Sequence, residues 1–305
     1  MRILAYGTTS ALCLLFLFSL SAHAHQNQII KDDLGYTHVL GNPPQRIISL
    51  APNVTEILFA LGLENQIIGV TRYCNYPKQA QTKNLIGGLV DPDLEKIIDL
   101  RPDLIIAFRG NPLRVVRRLK DLDLPVFVLE AGTTLESVFV LIRRIGQITR
   151  KEKTAESLIA PLREDLTRIE TSLKDVENRP KVFIDLYGKD LWTCGKKCFL
   201  NDLILKAKGV NAAGEIPRSW FSFNREELIH QNPEFIVVIT KSKSDFLEVR
   251  AWFTEEAHLE NMQAVRKGNI FFLNEDLITR PGPRLFLAFD RLVRILHPSL
   301  FEDSR

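Results

Sequence analysis

The chain reads as an α/β protein built from two Rossmann-like lobes with parallel sheets. A single long α-helix joins them, and a ligand cleft lies between them. Three observations predict this. Short, almost wholly apolar runs alternate with helical stretches between residues 46 and 149, the pattern of a parallel sheet covered on both faces. One amphipathic stretch, residues 151–176, is far longer than any other. The alternation then restarts and continues to the C-terminal region. The expected divisions are a leader at 1–24, a first lobe at 25–150, a bridging helix at 151–178 and a second lobe at 179–305.

The elements follow in order. Arg2, an apolar run from Ala11 to Leu20 and the small residues Ser21-Ala22-His23-Ala24 have the form of a secretory leader cleaved near Ala24. The apolar run is too short to span a bilayer, although a membrane anchor is the alternative reading. Cys13 lies inside the run instead of closing it, which argues against lipid attachment. Residues 29–39 contain Asp32-Asp33-Leu34-Gly35, a turn signal that predicts a hairpin. Residues 46–51 form a strand. Asn53 then caps a helix to about Leu61, with Glu56 as capping-box partner. Strands are expected at 67–71, 103–108 and 126–129. Helices are expected to open at Asp91-Pro92, at Asn111-Pro112 and at Thr133 or Thr134.

In the bridging stretch, Ala155, Leu158, Ile159, Leu162, Leu166, Ile169, Leu173 and Val176 recur every three or four residues. At 1.5 Å per residue this helix would be roughly 40 Å long, with Pro161 a candidate kink. Beyond Asn178-Arg179-Pro180, strands are expected at 181–186, 235–239 and 270–273. Helices are expected at 199–206, from Asn224 to His230, and from Pro283 to His297. Gly209-Val210-Asn211 reads as a turn.

Charge excludes one class of partner. Forty basic and 37 acidic residues leave +3, and loss of Arg2 with the leader lowers this to +2. Nothing in that balance points to nucleic acid. Outside the leader the cysteines are Cys74, Cys194 and Cys198, so at most one intrachain disulfide can form. Cys74 reads as a buried small residue or as the leftover thiol. Cys194-Gly-Lys-Lys-Cys198 reads as a local disulfide in an oxidising compartment, with free thiols or a zinc site as alternatives.

Large aromatics collect where strands end. Tyr73 and Tyr76 follow the strand at 67–71, and Phe108 and Arg109 close the strand at 103–108. Tyr187 and Trp192 follow the strand at 181–186, and Trp220, Phe221 and Phe223 precede Asn224. Arg280 and Arg284 bracket Pro281-Gly282-Pro283. In open α/β sheets ligands bind beyond the carboxyl ends of strands. This set therefore suits a large, flat, partly apolar ligand with some anionic or amide groups. No nucleophile elbow, zinc-protease or phosphate-loop motif is present, and the histidines are scattered, so neither catalytic nor metal residues are assigned. Glu95 and Glu226 each lie in a first helical turn. Macrodipole stabilisation of roughly 0.3–1 kcal/mol is one reason for an acid there. Docking of one exposed acid per lobe onto a symmetric partner is the other.

The segments PPQRIISLAPNVTEILFALG, GVTRYCNYP, DLEKIIDLRPDLIIAFRGN, NREELIHQNPEFIVV and RPGPR resemble the helical-backbone (class III) periplasmic binding proteins of ABC importers. Within that class the chain is most similar to the members that bind vitamin B12 (cobalamin). The resemblance covers nearly all of the chain after the leader. It implies a periplasmic, monomeric, non-enzymatic receptor without a cofactor of its own. Such a receptor captures a corrinoid and hands it to a permease dimer at the inner membrane. It implies Tyr73, Phe108, Trp192 and Trp220 as cleft aromatics, with Arg109 next to Phe108; the strand-end reading adds Phe221 and Arg280 as ligand-binding candidates. The resemblance also implies Glu95 and Glu226 as the acids that meet arginines of the permease. Leu89 stands near where that branch has a further tryptophan. An iron–siderophore or haem receptor of the same fold is the alternative, and a cleft enzyme the remote one. The single bridging helix is expected to permit only a small rearrangement on binding.

Overall fold

The computed structural model describes residues 28–130, 132–186 and 188–304. The expected leader and Tyr187 lie outside the described residues. The chain starts with an antiparallel hairpin, β1 (Gln28–Lys31) and β2 (Thr37–Leu40). The buried Asp32 carboxylate closes its turn, accepting the amides of Leu34 at 3.1 Å and Tyr36 at 2.9 Å.

The first lobe then runs β3 (Ile47–Ser49), α1 (Pro52–Ala60), β4 (Ile67–Val70), β5 (Asn84–Leu85), α2 (Leu94–Asp99), β6 (Leu104–Phe108), α3 (Leu113–Asp121), β7 (Val126–Leu129) and α4 (Ser137–Ile148). Its sheet has the order β5-β4-β3-β6-β7, and every pairing is parallel. β3 and β7 are buried along their whole length because helices cover both faces.

Three helix starts differ from the sequence reading, and one of them is α4, which begins at Ser137 and not at Thr133 or Thr134. Asn53 does not cap α1: Ala51 stands at the cap without a side-chain bond, and Asn53 lies inside the first turn. Glu56 is thereby released from any capping box. α2 opens at Asp93, whose carboxylate accepts the Lys96 amide at 3.0 Å. Asp91-Pro92 stays outside the helix, with Pro92 bridged to Gly87.

The bridge is α5 (Glu152–Ser172), which continues through Pro161. Twenty-one residues give it a length of about 32 Å. Its buried face carries Ala155, Ile159, Leu166 and Ile169. Gly146 of α4 admits it closely, since a Cβ on that glycine would lie 2.6 Å from the Ala155 Cβ.

The second lobe runs β8 (Lys181–Leu186), β9 (Trp192–Cys194), α6 (Phe199–Lys206), β10 (Val210–Asn211), β11 (Trp220–Ser222), α7 (Arg225–Gln231), β12 (Phe235–Thr240), α8 (Lys243–Glu255), α9 (Gln263–Arg266), β13 (Ile270–Asn274), α10 (Glu275–Ile278) and α11 (Leu285–Leu296). The main sheet order is β11-β9-β8-β12-β13, with β10 on β8. This sheet is mixed, not wholly parallel: β9 and β11 run antiparallel. The expected turn at Gly209-Val210-Asn211 is a short parallel strand beside β8.

One apolar cluster runs from Ile47 and Leu58 in the first lobe, through Ile142 and Ile159, to Ile184 and Phe289 in the second. Phe139 stacks on Phe286 across this junction at 5.0 Å between ring centres. Lys206 reaches Glu136 at 2.5 Å and Glu170 at 3.3 Å, tying α6 to α4 and α5. The lobes therefore share a core.

Candidate functional site

The carboxyl ends of β3, β4 and β6 deliver three pieces of one surface. After β3 the chain turns at Ala51-Pro52-Asn53 into α1. After β4 it enters the loop holding Tyr73. β6 ends on Phe108, and Gly110 follows. Together with Leu89 these line a cavity of about 410 Å³, closed from the second lobe by Lys241, Glu275, Asp276, Thr279, Arg280 and Pro281. The cavity thus lies between the lobes. Its first-lobe wall is largely apolar and its second-lobe wall largely charged. A larger hollow of about 790 Å³, ringed by Lys189, Asp190, Glu248, Trp252, Glu255 and Glu256, belongs to the second lobe alone.

Tyr73 is 44 % exposed and presents its ring to the cavity. The rest of its loop is held down. The Cys74 thiol is buried between the hydroxyls of Thr55 at 3.1 Å and Thr71 at 3.2 Å. Burial pushes this thiol up from its ordinary range. The Tyr76 ring lies beneath the Arg284 guanidinium, 3.8 Å from its carbon. Arg280 donates to the Tyr73 carbonyl at 3.2 Å and to the Asn75 side chain at 2.7 Å. It also pairs with Asp276. Asn75 donates to Asp276 at 2.6 Å. Arg280 lines the cavity but is engaged from both lobes.

Lys241 is different. It is exposed, lines the same cavity and has no side-chain partner among the described residues. It stands just before Ser242, which caps α8 through a capping box with Asp245. Sequence reading missed it, although Ser242 and Asp245 at three-residue spacing were a visible helix start.

The expected site residues divide. Tyr73, Phe108 and Arg280 meet around the cavity, with Leu89 beside them. Arg109 turns outward to Glu130, 2.5 Å away, and does not line it. Trp192 and Trp220 lie elsewhere, on the β9–β11 ladder. There Trp192 pairs with Ser222 and Cys194 with Trp220, so these four side chains share one face. Trp192 is 38 % exposed, and Trp220 is half-buried with its edge toward Phe199. Phe221 is a correction. One residue from Trp220 along the strand, it projects to the opposite face and is buried beside Phe223. It is a core residue, not a cleft residue.

Glu95 and Glu226 occupy matching positions. Each is the second residue of a helix whose cap, Asp93 or Asn224, accepts the amide of the third residue at 3.0 Å. Both are exposed, and neither forms an ion pair among the described residues. Glu227 is occupied, accepting from Gln231 at 2.8 Å. Among the described residues no three His, Cys, Asp or Glu side chains converge as a metal site.

Residues 47–277 match the periplasmic binding protein family model. The chain is 29% identical over 266 residues to an uncharacterised ABC transporter substrate-binding lipoprotein of Bacillus subtilis, YvrC, covering 85% of this chain and 82% of that one. It is 29% identical over 247 residues to a vitamin B12-binding protein of Vibrio parahaemolyticus, covering 81% and 87%. The periplasmic haem-binding protein RhuT from Roseiflexus, in its apo form, has the same fold. Its TM-score is 0.76 at 23% identity, over 84% of this chain and 99% of that one. The family model spans most of the sequence, and the chain belongs to the periplasmic binding protein family.

Proposed function

We propose that the protein is a periplasmic receptor that binds cobalamin or a related corrinoid between its lobes and delivers it to an ABC importer, without chemical change to the ligand. The cavity at the lobe junction carries this reading. Tyr73, Phe108 and Leu89 offer it apolar faces, and Lys241 offers it an uncommitted cation. A corrin ring is broad and apolar at its faces, is edged with amides, and in cobalamin carries a phosphodiester on its nucleotide arm. The tyrosine hydroxyl suits the amides, and the lysine suits the phosphodiester. The cavity is proposed to hold one edge of such a ligand, with Trp192, 38 % exposed, and the half-buried Trp220 meeting it from the β9–β11 ladder of the second lobe. The B12-binding relative supports this cargo.

Glu95 and Glu226 are the proposed docking acids. Their identical helical positions in the two lobes support engagement of a two-fold symmetric permease by one acid from each lobe. The leader is proposed to be removed near Ala24 on export, leaving a monomer in the periplasm. Equilibrium dialysis of the exported protein against cyanocobalamin, haemin and a ferric catecholate tests the cargo. Retention of the corrinoid alone is expected. Retention of haemin or the catecholate in its place overturns the corrinoid assignment.

A further inference from the structure

We propose that Cys194 and Cys198 are an oxidation site: outside the cytoplasm they close to a disulfide that clasps the hairpin carrying Trp192 and Trp220. The inference rests on the extracytoplasmic location of the family and is independent of the cargo.

Cys194 is the last residue of β9, and Cys198 is the cap of α6. The tight turn between them is closed by the Cys198 amide on the Gly195 carbonyl at 3.1 Å. The turn folds both cysteines into one apolar cluster, where Cys194 is fully buried and Cys198 is 4 % exposed. Both thiols are unbridged in this structure. The neighbouring Cys198 thiol, together with burial, raises the Cys194 thiol well above its ordinary range. Asn211 holds Cys194 from the other side, donating to its carbonyl at 3.0 Å. Cys74 lies in the other lobe against Thr55 and Thr71 and is the odd thiol. Two thiols without a third ligand do not make a zinc site, and among the described residues no third ligand converges on them.

The turn is laced to the segment that leads into β11 at Trp220. The amides of Gly195, Lys196 and Lys197 donate to the carbonyls of Ser219 at 3.0 Å, Ile216 at 2.9 Å and Arg218 at 3.1 Å. Gly195 permits this approach, since a Cβ there would lie 2.6 Å from the Ile216 and Arg218 carbonyl oxygens. Cys194 stands directly across the ladder from Trp220 on the same face. A covalent bond from Cys194 to Cys198 therefore fixes the end of β9 to the start of α6, beneath Trp220.

The chemistry is thiol–disulfide exchange with a disulfide donor, either a protein thiol oxidase or oxidised glutathione. One cysteine thiolate attacks a donor sulfur, forming a mixed disulfide and expelling one donor thiolate. The second cysteine thiolate then attacks its partner's sulfur and expels the other. Two protons leave the cysteines, and two electrons pass to the donor, which ends as thiols. Because both sulfurs are buried in the folded protein, exchange occurs while β9 and α6 are still open.

The test uses the full chain in two forms, exported to an oxidising compartment and refolded from the reduced state in a glutathione redox buffer. Each is quenched in acid, alkylated under denaturing conditions without reductant, and mapped by mass spectrometry. The expected result is an alkylated Cys74 and a Cys194–Cys198 peptide lighter by two hydrogens in both forms. Alkylation of both Cys194 and Cys198, or a disulfide involving Cys74, would overturn the site. Amide hydrogen exchange across residues 192–222, oxidised against phosphine-reduced, tests the clasp. Slower exchange in the oxidised form is expected, and equal exchange overturns it. The Cys194→Ala/Cys198→Ser variant is the control, and phosphine should leave its exchange unchanged.

Discussion

Glu56, buried in α1 of the first lobe, accepts two hydrogen bonds from the guanidinium of Arg284 in the second lobe. Nε donates at 2.9 Å, and the second nitrogen closes the bidentate pair. Arg280 stands 3.5 Å from the same carboxylate. The side chain of Glu56 is only 2 % exposed, so its charge has no recourse to water.

Removing one member of a buried pair strands the other, at a cost of about 3 kcal/mol or more. Arg284→Met is therefore expected to lower unfolding free energy in urea by about that amount. Adding Glu56→Gln should recover part of the loss. Full additivity of the two changes would argue against direct coupling. The shared core across the lobes adds a related expectation: scattering should show little compaction when ligand binds, whereas a large decrease in radius would contradict a rigid bridge.

Asp185 faces the interior of the second lobe in β8, and neither carboxylate oxygen has a hydrogen-bond partner among the described residues. Burial raises its carboxyl well above the ordinary range. The sign follows from linkage. The unfolded state loses its proton first, so this group costs stability progressively as pH rises above about 4, up to the raised folded value. Asp185→Asn is expected to raise stability at pH 7 by about 1–3 kcal/mol, with the gain shrinking toward pH 4. Thermal unfolding across that range checks this, and a pH-independent difference would refute the assignment.

Lys241→Met should weaken cyanocobalamin binding about tenfold, equivalent to ~1.4 kcal/mol. It should leave binding of dicyanocobinamide, which lacks the phosphodiester arm, nearly unchanged. Wild-type affinity for cyanocobalamin should also fall more steeply with salt. Equal losses for both corrinoids would place Lys241 against another part of the ligand.

Charge reversal at Glu95 or Glu226 should leave ligand affinity intact and weaken association with the permease in reconstituted membranes. The double reversal should weaken it most. Undiminished association of the double variant would remove both residues from the docking surface.

Much of the architecture was legible because strand and helix periods differ. The strand at 181–186 and the helix at 199–206 were read with their observed bounds. β9 and β11 were not read, because three residues are too few to display alternation. That same alternation separates Phe221 from Trp220. Asn53 and Glu56 have the spacing of a capping box, but tertiary ion pairing takes Glu56. Its partner Arg284 lies 228 residues away, beyond any local pattern. At the cavity, Tyr73 and Phe108 could be located as strand-end aromatics. Lys241 could not, because its significance depends on having no neighbour to neutralise it.

The most direct measurement is calorimetric titration of the purified, exported protein with cyanocobalamin, followed in parallel by tryptophan fluorescence, with Tyr73→Ala and Trp220→Ala beside the wild type. The expected result is saturable one-to-one binding below micromolar, quenched fluorescence, and roughly tenfold weaker binding in each variant with unfolding unchanged. No heat and no quenching in the wild type, or wild-type affinity in both variants, would contradict a corrinoid held between the lobes.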